Sequence, residues 1–245
     1  MMLAHSRSST HWQLVVLGMI QILLLLSLAA CGPATMRSSS LPNTTSTPAP
    51  TLTYVAIGAS DAFGIGTDDP DRESWPTVLA GLLGPHTHLI NLGIPGEVVS
   101  QALSMELPVA LASKPNVITV WLAVNDLADG IPLASYQVEL RQLLASLQGS
   151  TRARIFVGNI PDLTLLPHFF TYDPVALTAQ VDRWNSAIAS ICNQVGATLV
   201  DIHSAWQSLL DHPDYISSDG FHPSTAGARQ LAQLFYSSIK AASAG

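Results

Sequence analysis

At 245 residues the chain is long enough to bury one good core, or at most two small ones. Charged residues make up only 11% of it against 48% apolar residues, and the formal charge is -7, with lysines and arginines scattered singly. No basic stripe and no basic patch interleaved with aromatics is present to meet a phosphate backbone, which excludes nucleic acid as a partner.

The chain opens on a polar stretch, "MMLAHSRSSTHWQ", with one certain positive charge at Arg7, followed by the apolar run "LVVLGMIQILLLLSLAA" and Cys31-Gly32. The run is nearly long enough to span a bilayer, so an uncleaved anchor is one reading. Small residues directly before a cysteine, in "LSLAAC", make the segment resemble a bacterial lipoprotein signal. On that reading residues 1–30 are a signal peptide, Cys31 becomes the lipidated N-terminus, and the protein is extracytoplasmic and anchored to the bacterial cell membrane. Residues 33–52, "PATMRSSSLPNTTSTPAPTL", hold too little apolar surface to fold. Residues 31–52 therefore read as a tether to a domain spanning 53–245. Cys192 is then the one thiol in that domain, which leaves no internal disulfide. It sits in the helically spaced "RWNSAIASICNQVGA" with no histidine near it in sequence, and reads as a buried thiol.

From Thr53 the pattern becomes regular. "TYVAIGAS" is a short apolar run ending in a glycine loop, and "SWPTVLAGLLG" has helical spacing that closes on Gly84. "THLINLGIPG" is a second strand and loop, "EVVSQALSMELPVAL" a second helix. "NVITVWLAVND" is a third strand, the richest in β-branched residues, and "SYQVELRQLLASLQ" an amphipathic helix. "RIFVGNIPD" is a fourth strand, "DPVALTAQVDRWNSAIASICNQVG" a long helix, "ATLVDIHSAW" a fifth strand, and "STAGARQLAQLFYSSIKAA" the terminal helix. Near-continuous apolar strands alternating with helices imply a parallel sheet covered on both faces. The predicted fold is α/β: a three-layer α/β/α sandwich on a doubly wound, flavodoxin-like sheet of five parallel strands.

In "VAIGASDAFGIG", residues 55–66, three glycines surround one serine just after the first strand. A phosphate loop is excluded by spacing: Gly58 and Gly64 are one residue too far apart for a Walker loop and no lysine follows, and Gly64-Ile65-Gly66 lacks the third glycine of a dinucleotide fingerprint. That leaves Ser60 as a nucleophile, or a plain turn. Ligands of such sheets bind at the carboxyl ends of the strands, where Ser60, Gly93, Asn125-Asp126, Asn159, Asp162 and the loop "SSDGFHPS" all fall. Acyl transfer needs a base to take a hydroxyl proton, a group to orient that base, and donors for the developing oxyanion. His222 and Asp219 lie three residues apart in one loop, while Gly93 offers an unobstructed N–H and Asn125 an amide. Asp61, Asp126, Asp162 and Asp201 compete with Asp219 as partner of His222. Asp61 and Asp126 directly follow site candidates and are expected to point away.

Four stretches, "AIGASDAFGIG", "NLGIPGE", "VWLAVNDL" and "SDGFHPSTAG", resemble in order the four blocks of the SGNH, or GDSL, hydrolases, and cover the domain from Tyr54 to the last helix. The resemblance implies a serine esterase with Ser60 as nucleophile, His222 as base, Asp219 as its partner, and the Ser60 N–H, Gly93 N–H and Asn125 amide as oxyanion donors, with no metal and no cofactor. It implies a small-acyl, carbohydrate-borne or lysophospholipid ester as substrate. Acyl transfer to a sugar, or a binding lipoprotein that kept only the fold, are the alternatives. Two positions depart from the family pattern: Ala59 stands where the family has aspartate, and Ala123 where a glycine is common, which is expected to narrow the cleft slightly. Taken singly, Ser60 reads as a turn residue, Gly93 as a backbone hinge, Asn125-Asp126 as a helix cap, and Asp219 and His222 as loop residues before a helix opened by Pro223. The apolar "LTLLPHFFTYD" reads as an acyl-binding wall or as packing.

Overall fold

The computed structural model describes residues 52–243. The readings made for residues 1–51, including the signal peptide, Cys31 and most of the tether, lie outside the described residues. Leu52 already pairs with Thr87 in the sheet.

In chain order the elements are β1 (Leu52–Gly58), α1 (Ser60–Phe63), α2 (Pro70–Glu73), α3 (Trp75–Leu83), β2 (Thr87–Asn91), α4 (Val99–Ala112), β3 (Val117–Trp121), α5 (Val124–Ala128), α6 (Leu133–Ser150), β4 (Arg154–Gly158), α7 (Pro174–Val195), β5 (Thr198–Val200), α8 (Ile202–Ala205) and α9 (Thr225–Ala241). All four strand pairings are parallel and the order is β2-β1-β3-β4-β5. That is the flavodoxin-like order, with the connections reversing direction between β1 and β3. Gly58 pairs with Trp121, so these two central strands end level. The loops that follow them therefore open side by side.

Each face has its own aromatic lock. Trp75 of α3 stacks on Phe235 of α9, ring centroids 4.6 Å apart at 12°. On the other face Tyr136 of α6 lies 4.5 Å from Trp184 of α7. All four rings are buried, and burying a large apolar side chain stabilises by about 1.5–3 kcal/mol. Every residue of β3 is buried, as expected of a central strand flanked by helices on both faces.

The fifth strand is shorter than its apolar run suggests. Only Thr198–Val200 extends the sheet, because the Asp201 carboxylate accepts from Ser204 N–H at 3.2 Å and Ser204 Oγ at 2.7 Å and turns the chain into α8. Ile202 and Trp206, which read as continuing the strand, are buried from successive helical turns instead. In the segment after β4, Leu163–Leu165 and Pro167–Phe169 form single 3₁₀ turns.

Candidate active site

Ser60 opens α1, a helix of one turn closed by Gly64 in the left-handed region at φ 106°. The Ser60 hydroxyl makes no cap bond, and its N–H has no partner among the described residues. The hydroxyl meets His222 instead: Ser60 Oγ lies 2.9 Å from Nε2, and Nδ1 lies 2.7 Å from Asp219 Oδ2. An ionised carboxylate can only accept, so Nδ1 carries the ring proton and Nε2 is left to accept from the serine. Burial alone would raise the Asp219 carboxyl. The bond from His222 Nδ1 and the N–H groups of Phe221 (2.8 Å) and His222 (2.9 Å), with Ser217 Oγ at 2.8 Å, hold it well below the usual carboxylate range.

The loop carrying these two residues is fixed at both ends. Ser217 N–H donates to His222 O at 2.9 Å, Ile216 bridges Pro223, and Ser224 caps α9 through Gly227 N–H. The helix starts one residue after that cap, so Ser224 rather than Pro223 sets its beginning. The glycine-rich loop after Ser60 serves this contact. Gly66 has φ 95°, and a Cβ there would sit 2.5 Å from Pro223 O and 2.9 Å from His222 Cβ. The glycine lets the Ser60 loop lie directly on the His222 loop.

Asn125 stands in the first turn of α5, just past the end of β3, as Ser60 stands just past the end of the neighbouring β1. One of its amide hydrogens is held by Glu97 O at 2.9 Å, which leaves the other free. Asn125, Ser60, Asp61, Glu97 and His222 share one cleft, with Leu163, Leu166, Trp206 and Phe221 as its apolar wall. The Leu163–Asp173 segment thus contributes both a wall and packing.

Gly93 does not take the place expected of it. Its N–H donates to Asn91 Oδ1 at 3.1 Å and is not free for an oxyanion. Its role is close approach: a Cβ would lie 2.6 Å from Phe63 N and 2.9 Å from Ala59 O. Asn91 also donates to Ala62 O at 2.6 Å, so this strand end braces α1 from beneath. An asparagine two residues before the glycine was the sequence signal for that competing acceptor.

Of the five aspartates near this sheet edge, Asp219 alone hydrogen-bonds His222. Asp162 accepts from Thr164 and Gln207, and Asp201 from Ser204 and Asn159. Asp126 turns away as expected, accepting from Val99 N–H at the start of α4, so it caps the preceding helix rather than the following one. Burial pushes the Asp126 carboxyl up to about 6. Asp61, by contrast, borders the cleft. Burial raises its carboxyl to about 6, against the attraction of His222. Cys192 is buried as expected, and desolvation pushes its thiol up to about 11.

Ala123 does more than narrow the cleft. The backbone there has φ 120° and ψ -33°, a conformation that an alanine adopts only under strain, at the entry to the Asn125 turn. Strain of this kind amounts to about 1–3 kcal/mol, and glycine returns about 0.4–1 kcal/mol of it through the freer unfolded chain. Ala123→Gly should therefore raise the urea midpoint, by about 1 kcal/mol of stability. A variant no more stable than wild type would show that the turn carries no such strain.

The GDSL-like Lipase/Acylhydrolase family model matches residues 56–230. An acetylxylan esterase of Xylanibacter ruminicola is 24% identical over 222 residues, covering 80% of this chain and 45% of that protein. This chain thus spans less than half the length of that relative. Among solved structures, Axe2, an acetylxylan esterase from Geobacillus stearothermophilus, superposes with a TM-score of 0.61 at 20% identity, covering 77% of this chain and 94% of that one. The psychrotrophic esterase EstA from Pseudoalteromonas sp., inhibited by monoethylphosphonate, gives 0.61 at 20% identity, with coverage of 79% and 100%. These likenesses establish the α/β fold.

Proposed function

The chain belongs to the GDSL-like lipase/acylhydrolase family, and from that membership and the geometry around Ser60 we propose that it hydrolyses carboxylic esters through an acyl-enzyme. The observation that carries this reading is the unbroken line from Asp219 through His222 to Ser60, with contacts of 2.7 and 2.9 Å. His222 Nε2 takes the Ser60 proton as Oγ attacks the ester carbonyl. Asp219 holds the tautomer and stabilises the imidazolium. The Ser60 N–H, without a partner among the described residues, and the second hydrogen of the Asn125 amide are the donors toward the developing oxyanion. His222 then returns the proton to the leaving alcohol, and water repeats the sequence to release the acid.

The substrate we propose is an acetyl group on a carbohydrate hydroxyl. The cleft beside Ser60 is walled by the apolar side chains of Leu163, Leu166 and Trp206. An acetyl methyl can seat against these side chains beside Ser60. The X. ruminicola relative, an acetylxylan esterase by name, supports the acetyl and carbohydrate assignment. On aryl esters of rising chain length, kcat/KM should fall at least about tenfold from acetate to octanoate, since a chain that cannot be seated loses its orientation. Octanoate turned over as well as acetate would remove the short-acyl assignment.

A further inference from the structure

Two carboxyl groups that the reaction does not use are buried together beside the cleft. Glu97, in the turn before α4, is 2% exposed, and Glu106, within α4, is 1% exposed. Neither Glu97 carboxyl oxygen nor Glu106 Oε1 has a hydrogen-bond partner among the described residues other than the facing carboxyl, and neither residue enters an ion pair there. Glu106 Oε2 accepts from Gly58 N–H at 3.1 Å, at the end of β1 and two residues before Ser60. Asp126 of α5, the other carboxylate that meets α4, accepts from Val99 N–H at the start of that helix and does not join the pair. Two ionised carboxylates in contact, buried and without a cation, repel by several kcal/mol, so the pair retains a proton. Burial, then the bond to Glu97 and its charge, push Glu106 up to about 10 against the opposing Gly58 N–H.

The backbone around the pair explains why this proton bears on turnover. Glu97 N–H donates to Ile94 O and Ile94 N–H donates to Gly58 O, both at 3.1 Å, so the 94–97 turn is a direct extension of β1. The carbonyl of the same Glu97 anchors the Asn125 amide at 2.9 Å. Glu106 thus touches the strand end that aims Ser60, and Glu97 touches the side chain opposite it. We propose that Glu97 and Glu106 are positioning residues, a proton-sharing carboxyl pair that holds the Asn125 amide and the Ser60 turn in register, so that turnover is lost when the pair gives up its proton. The proposal rests on the esterase reading, in which Asn125 faces the oxyanion. α4 is pinned at its start by Asp126, so repulsion between two ionised carboxylates moves the 94–97 turn, and the Asn125 anchor with it. Two buried negative charges beside a developing oxyanion also oppose it directly. Both effects act on kcat rather than on KM.

The test is hydrolysis of a simple alkyl acetate by the full chain, followed by pH-stat from about pH 6 to about pH 11, with Ser60→Ala in parallel. Glu106→Gln mimics the protonated pair: its amide donates to Glu97 and its oxygen accepts from Gly58 N–H. It should keep kcat within about threefold of wild type at neutral pH and lack the wild-type loss of kcat near pH 10. Glu106→Ala should lower kcat at least about tenfold with KM within about threefold. Combined with Asn125→Ala it should cost less than the product of the two single losses, because both share the Asn125 amide. A wild-type profile flat to about pH 11, a Glu106→Gln profile that follows wild type, or losses from Glu106→Ala and Asn125→Ala that multiply would each overturn the pairing. Should Glu106→Ala not fold, the alkaline limb of Glu106→Gln decides alone. A fully active Ser60→Ala would bring down the esterase reading itself, whatever the glutamate variants do.

The same pair carries a stability signature with a definite sign. The unfolded chain releases the Glu106 proton in the ordinary carboxyl range, whereas the folded chain keeps it up to about 10. The folded state therefore loses stability as pH rises through that window. Glu106→Gln should remove that slope, becoming more stable than wild type at alkaline pH, and the difference should shrink toward pH 5.

Discussion

Ser60→Ala should lower kcat on an aryl acetate by at least about a thousandfold while the urea midpoint stays near that of wild type. The substitution removes one oxygen. That oxygen makes no helix cap, and its one hydrogen bond runs to His222 Nε2 at 2.9 Å. Ser60 is 8% exposed, and its backbone N–H is retained in the alanine variant. Any remaining rate enhancement then comes from the oxyanion donors and substrate binding alone, as when a nucleophile is removed from a triad. A fluorophosphonate probe should label the wild-type chain at Ser60 and leave the variant unlabelled. Activity in the alanine variant, or labelling at another residue, would assign the chemistry elsewhere.

Asp219→Asn should be comparably damaging, about ten-thousandfold in kcat, although it preserves the loop. The asparagine oxygen can keep the bonds now accepted by Asp219 Oδ1 from Ser217, Phe221 N–H and His222 N–H. The amide nitrogen then faces His222 Nδ1 where Oδ2 stood at 2.7 Å. A donor in that position forces Nδ1 to accept, so the ring proton moves to Nε2, which can no longer take the Ser60 proton. The defect is a wrong tautomer, not a lost fold. The same change at Asp162 or Asp201 disturbs a cap and a contact with Gln207 or Asn159, neither of which reaches His222, and at Asp126 the contact with Val99 N–H can be kept, so these variants should stay within about tenfold. Adding His222→Ala to Asp219→Asn should lower kcat little further than His222→Ala alone. Measured kcat values for the asparagine series decide it: if Asp219→Asn stays within a few-fold of wild type while another collapses, His222 has a different partner.

The sequence by itself determined the sheet and where its chemistry gathers. Apolar runs alternating with helical spacing specify a parallel, doubly covered sheet; the observed strand Val117–Trp121 falls inside its run, and Leu52–Gly58 starts one residue ahead of its own. The Asp219–His222 contact was also legible, because an i to i+3 spacing around Gly220 closes within one turn. Local signals of that range survive in a linear pattern. What the tertiary structure decided rests on contacts that linear spacing does not rank. The Gly93 N–H went to Asn91 because the end of β2 had to brace α1, a competition between two acceptors that spacing does not rank. Asp126 capped α4 rather than its own α5 because the level ends of β1 and β3 bring Val99 N–H to it. The strain at Ala123 and the meeting of Glu97 with Glu106 are likewise invisible until the sheet closes. A φ value and a shared proton belong to neighbours in space, and only the packing of helix against sheet makes those residues neighbours.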